Sequence, residues 1–270
     1  MNDSADFLQA RCWRAGRARR LECLVDGSNY FAALREALLN ARHSVFILGW
    51  DIDSRMRLIG EETEPADGAP AELREFLAEL VKRSDTLSIR LLLWDYSILY
   101  AAEREALPAV SLGWRTPARI EFCLDDDLPV GASHHEKLVI VDDCVAFIGG
   151  LDLTIRRWDT PAHAPDDGRR VDPTGETYPP FHDLHAIVDG EPAAALARFC
   201  RERWQQVAKE TLPPMQTGSD PWPASVEPSF TDVDVGIART RAAHAGREEL
   251  REIESVYLEA IGKAEDDEGT

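Results

Sequence analysis

Two stretches of this sequence share one design, an amphipathic helix followed at once by an uninterrupted apolar strand, and that pairing sets the fold class. Residues 30–42 (YFAALREALLNAR) repeat apolar side chains at helical spacing, with Ser28 or Asn29 as the cap, and run into SVFILGW at 44–50. A loop rich in Glu, Pro, Gly and Asp at 60–70 is followed by a second helix, AELREFLAELVKR at 71–83, and by SIRLLLW, which ends at Trp94. A strand that is apolar on both faces must be covered on both faces. The expected fold is therefore α/β, a mixed β-sheet sandwiched by α-helices. Further strands are expected at 119–124, 137–141, 145–148 and 184–188, the middle two joined by a tight Asp142-Asp143 turn, and a helix at 192–210 closes the region. The first two strands both end in Trp-Asp, at Trp50-Asp51 and Trp94-Asp95, where ligand sites of open α/β sheets lie.

The organisation is read from where this pattern stops. Pro213, Pro214, Pro221, Pro223 and Pro228 crowd a stretch that excludes regular helix and central strand. The chain accordingly divides into an N-terminal segment (1–20), one lobe (21–212), a Pro-rich linker (213–245), and an isolated C-terminal helix with an acidic tail (246–270). YLEAIGKAE from Tyr257 resembles the helix at 30–42, as though a further lobe began there and broke off.

Thirty Lys and Arg against 49 Asp and Glu leave a net charge of -19, which disfavours nucleic acid and anionic membrane surfaces because both reward clustered cations. Five cysteines, odd in number and without C-x-x-C spacing, read as reduced thiols. With no apolar h-region near the N-terminus and no apolar run of about 20 residues, the expectation is a cytoplasmic protein whose only membrane role is peripheral contact.

The stretch SHHEKLVIVDDCVAFIGGLDL, from Ser133 to Leu153, carries the chemistry. It holds His135-x-Lys137, then Asp142, then Gly149-Gly150. With seven His, four Lys and 25 Asp in the chain, the His-Lys-Asp spacing is expected by chance about 0.01 times, so accident is a poor explanation. Residues two apart on an extended chain share a face, which points His135 and Lys137 into one pocket and puts Asp142 on the other parity, bracing the hairpin. An imidazole serves as nucleophile or acid-base near neutrality, and an ammonium beside it neutralises the oxygens of a phosphodiester. H-E-x-x-H zinc spacing fails at Val139, so no metal and no cofactor is expected.

The pattern resembles the HxKxxxxD motif of the phospholipase D superfamily. GWDIDSR from Gly49, WDYSILY from Trp94, GGLDLTIRRWDT from Gly149 and PFHDLHAIVDG around Phe181 resemble its phosphatidyl-transferring branch, over most of residues 27–204 and in a first lobe only. The resemblance implies that His135 forms a phosphohistidine without a metal, that Lys137 stabilises the charged oxygens, and that Asp183 orients the imidazole in the manner of a triad. Asp142 holds the hairpin. The implied substrate is a phospholipid or another phosphodiester, with water or an alcohol as acceptor. Where many members carry Asn after the glycine pair this chain has Asp152, a carboxylate expected to be turned away or hydrogen-bonded behind the site.

Superfamily sites join two such motifs, and no other histidine here is followed by Lys two residues on. Either a homodimer completes the site or a second lobe is missing; the terminal helix favours the missing lobe. Three alternatives stay open: an inactive lobe that only binds phosphate or lipid, a nuclease, and a cardiolipin or phosphatidylserine synthase. His134 is divided between a pocket and a packing role. Asp125-Asp126-Asp127 reads as a solvated loop, and Trp50, Trp94 and Trp158 as core or rim packing.

Overall fold

The computed structural model describes residues 3–60, 64–95, 117–215 and 218–268, with side chains from 6 to 262 at the two ends. In chain order the elements are α1 (Asp3–Arg11), β1 (Arg14–Val25), α2 (Asp26–Leu39), β2 (Ser44–Gly49), α3 (Leu73–Arg83), β3 (Ser88–Trp94), β4 (Ile120–Asp125), β5 (Leu138–Val141) and β6 (Val145–Gly149). There follow β7 (Leu184–Asp189), α4 (Glu191–Ala208), β8 (Phe230–Ile237), the short pair β9 (Thr240–Arg241) and β10 (Leu250–Arg251), and α5 (Glu252–Glu268). Most of the WDYSILY stretch lies outside the described residues.

Eight strands form one mixed sheet in the order β4-β3-β2-β5-β6-β7-β1-β8. The β2-β3 and β3-β4 pairs are parallel, the first of them joined by a crossover through α3, and the rest are antiparallel. Alternation sorts the core. Val45 and Ile47 of β2 pack with Leu34 of α2 and Phe76 of α3 on one face. Phe46 and Leu48 pack with Leu196 and Trp204 of α4 on the other, which gives the sheet its two helical layers.

Two strands occupy stretches where the sequence reading placed none. β1 begins at Arg14, inside the 1–20 segment, and pairs with both β7 and β8. Arg14, Arg17 and Arg19 face outward on a largely exposed ribbon and so mimic a basic tail. β8 lies inside the 213–245 stretch read as linker, its Val233, Val235 and Ile237 alternating onto the α4 face. The prolines do not free that stretch from the body either. Trp222 is buried in the core with the Arg20 guanidinium over its ring at 4.5 Å, and Ala224 N–H donates to Glu36 at 2.7 Å. α5 is not wholly isolated, since Glu259 pairs with Arg11 of α1 and Glu252 with Arg239, yet Tyr257, Leu258 and Ile261 leave its outer face exposed.

Candidate active site

The register brings the carboxyl ends of β1, β2, β3, β4 and β6 and the starts of β5 and β7 to one edge of the sheet. His135 and Lys137 lie there in the extended segment just before β5, one residue short of the ladder. The alternation of an extended chain still holds. His134 and Glu136 turn toward Asp125 and Arg203 of α4, the first with Nε2 3.2 Å from the Asp125 carboxylate, while Glu136 and Asp125 both pair with Arg203. Asp125 is thereby a buried structural anion rather than part of a solvated run. Burial opposes its charge, but the His134 hydrogen bond and the Arg203 guanidinium hold its carboxyl well below the usual range.

His135 and Lys137 meet at the indole of Trp50. The His135 ring stands edge-on to it at 5.8 Å and the Lys137 ammonium lies 5.7 Å from its centroid, with Trp94 stacked behind at 6.0 Å. His135 is exposed; Lys137 is buried beneath it and donates to the His135 carbonyl at 3.3 Å. Lys137 Nζ also lies 2.9 Å from Asp152 Oδ2, and Asp152 Oδ1 accepts the Trp50 and Asp51 N–H groups at 2.9 and 3.2 Å. Asp152 is thus hydrogen-bonded behind the site, where it serves as counter-ion to Lys137. Burial, and next the Lys137 charge, push the His135 pKa below its ordinary value, so the imidazole is neutral with a lone pair available at neutral pH.

The glycine pair has a steric cause. A Cβ at Gly149 would stand 2.4 Å from the Leu184 carbonyl oxygen, so β6 can press against the start of β7 only with glycine there, while one at Gly150 would stand 2.0 Å from Asp183 Oδ1 and would displace that carboxylate from its present position. The other two candidates stand apart from His135. Asp142 sits in the β5-β6 turn at the opposite edge, beyond the four residues of β5, which span about 13 Å at about 3.3 Å per residue. There its carboxylate accepts N–H groups from Arg42, His43 and Ser44 at 2.8–2.9 Å. Asp183 lies at the correct edge, but its Oδ1 accepts the Leu184 N–H at 2.7 Å, and no hydrogen bond joins it to His135 among the described residues.

Sequence reasoning passed over two groups at this edge. His185, two residues past Asp183, is buried and stacked on Tyr30 with centroids 3.8 Å apart, and burial with Lys137 nearby pushes its pKa down to about 3. Asp26, His163 and His182 converge from three segments: Asp26 Oδ1 lies 2.7 Å from His182 Nδ1 and Asp26 Oδ2 3.2 Å from His163 Nε2. Their donor atoms lie within 4.8 Å of one another, so this set could hold a metal ion. Their separation along the chain fits no local ligand spacing, so no sequence pattern signals the set.

No family model matches the chain. It is similar to phospholipase D zeta 1 of Arabidopsis thaliana, 28% identical over 218 residues that cover 70% of this chain and 19% of that protein. It is 26% identical over 318 residues to phospholipase D alpha 1 of Brassica oleracea var. capitata, covering 90% of this chain and 39% of that one. The chain thus spans well under half the length of the curated relatives it matches. Among solved structures, Nuc, a phospholipase D family member from Salmonella typhimurium, is 13% identical with a TM-score of 0.44 over 72% of this chain and 97% of that chain.

Proposed function

We propose, this chain being a member of the phospholipase D superfamily, that it supplies one half of a phosphodiesterase site that cleaves phospholipid headgroups. The observation that carries the reading is an exposed, neutral imidazole directly above a buried ammonium, both against one indole. In this reading His135 attacks phosphorus, a P–N bond forms as the P–O bond to the departing alcohol breaks, and Lys137 holds the charge that gathers on the non-bridging oxygens. Water or another alcohol then displaces the histidine. Asp183 acts as the orienter only if its carboxylate swings from the Leu184 N–H toward the imidazole. Asp142 serves the frame rather than the chemistry. The proton for the departing alcohol comes from a second motif, in a partner copy or a further lobe.

The test joins His135→Ala to a measurement of oligomeric state. Dimeric or lobe-completed protein is expected to hydrolyse a chromogenic phosphodiester and to form an acid-labile, alkali-stable phosphoenzyme, both lost in His135→Ala. Turnover that survives this substitution refutes the assignment. A strict monomer without hydrolysis favours the second reading, an inactive lobe, which the neutralising Asp152 beside Lys137 also supports.

A further inference from the structure

Outside the His135 region the chain carries a cavity of about 270 Å³ whose wall is crowded with arginine, in a protein of net charge -19. Arg55 and Arg57 reach it from the segment after β2, Arg156 and Arg157 from the segment after β6, and Arg169 from the loop before Tyr178. Three of these guanidiniums are fixed from one side by carboxylate forks. Asp53 holds Arg55 at 3.0 and 2.7 Å, Asp167 holds Arg169 at 2.9 and 2.6 Å, and Asp172 holds Arg156 at 3.0 and 2.6 Å, with Glu176 also on its Nη2 at 2.8 Å.

Each fork uses Nε and Nη2. The Nη1 groups of Arg156 and Arg169 therefore make no hydrogen bond among the described residues. Arg157 differs again: it has no carboxylate partner among them, its Nη1 reaches only the Arg156 carbonyl at 3.3 Å, and its guanidinium lies over Phe181 at 4.8 Å. Trp158 forms a flat wall, with Arg169 over its ring at 5.0 Å and its carbonyl accepting the Tyr178 hydroxyl at 2.9 Å. Guanidiniums oriented in advance with N–H groups unused are the arrangement that binds a tetrahedral oxyanion, because the cost of ordering them has already been met in the fold.

We propose that this cavity binds a dianionic phosphate, either free or as the phosphomonoester of a headgroup. The inference does not rest on the phosphodiesterase reading, since none of its residues belongs to the His135 site.

Calorimetric titration of the full chain with inorganic phosphate at low salt tests it. One saturable site is expected, weakened at least tenfold in Arg157→Gln/Arg169→Gln and retained in His135→Ala. In the double variant the largely covered Asp167 carboxylate keeps the backbone N–H of position 169, at 3.0 Å, as a donor, and circular dichroism checks the fold. Flotation with phosphatidylcholine vesicles separates the sources. Capture by phosphatidic acid but not phosphatidylglycerol identifies a headgroup, whereas phosphate binding without capture identifies the free ion. No saturable binding to the folded protein overturns the proposal, as does binding lost in His135→Ala but kept in the arginine variant.

Discussion

Replacing Asp152 by asparagine exchanges one oxygen for an amide nitrogen and removes the only carboxylate paired with the buried Lys137 among the described residues. A unit pair at 2.9 Å attracts by about 6 kcal/mol at an effective dielectric of about 20, and desolvation consumes much of that. Removal of one partner from such a buried pair costs about 3–5 kcal/mol, because the remaining charge is left uncompensated. Asparagine adds a donor-to-donor clash: its oxygen stays with the Trp50 and Asp51 N–H groups and its amide nitrogen then faces the ammonium. Lys137→Met should cost less, since Asp152 keeps both backbone donors. Urea unfolding at pH 7 reads the difference. Asp152→Asn is expected to lose about 3 kcal/mol, or roughly 6–12 °C in Tm for a chain of this size, at unchanged m. A loss under 1 kcal/mol, or a larger loss in Lys137→Met, refutes the account of Asp152 as counter-ion.

Three further outcomes follow from the same geometry. Unfolded His185 takes up a proton below its ordinary pKa of about 6.5 while the folded residue, at about 3, does not, so stability falls as pH drops through this window. About 2 kcal/mol should be lost between pH 6.5 and 5 and recovered in His185→Phe; equal acid sensitivity in both proteins contradicts the burial argument. The lowered pKa of His135 predicts that the acidic limb of any pH-rate profile lies below that of a free imidazole, and a limb at or above 6.5 shows that another group governs the rate. Asp142→Ala strips acceptors from three backbone N–H groups and should cost about 2–4 kcal/mol while turnover per folded molecule is kept. Folded but inactive Asp142→Ala would falsify the bracing role.

The centre of the sheet was legible because β2 and β3 are apolar on both faces, a pattern that only a covered strand produces. β1 was not, since a long ribbon with four arginines, Arg14, Arg17 and Arg19 of them turned outward, carries the composition of a tail. β8 alternates plainly in TDVDVGI, but the prolines before it dominate the local reading. At the site, two-residue spacing placed His135 beside Lys137 even though both precede the ladder. Arg203, His185 and the Asp26-His163-His182 set were invisible for one reason: each meets its partners only through pairing across the sheet or packing on it, and no local period encodes that.

The charges around Lys137 bear on whether this edge can act alone. A bound phosphodiester brings one negative charge to a place where Lys137 and Asp152 already cancel and His135 is neutral, so its charge meets no net positive counterpart within this set. The departing alkoxide also needs a proton, and the imidazoles at this edge are poorly placed to give one. His134 is turned toward Asp125, His182 and His163 are held by Asp26, and His185 is sealed in the core with a pKa near 3, too acidic to remain protonated at neutral pH. A protonated histidine with its own lysine, brought by a partner copy or a further lobe, would supply both the missing charge and the missing proton. Asp152 bears directly on the proposed reading, because its carboxylate cancels the positive charge that Lys137 would otherwise offer.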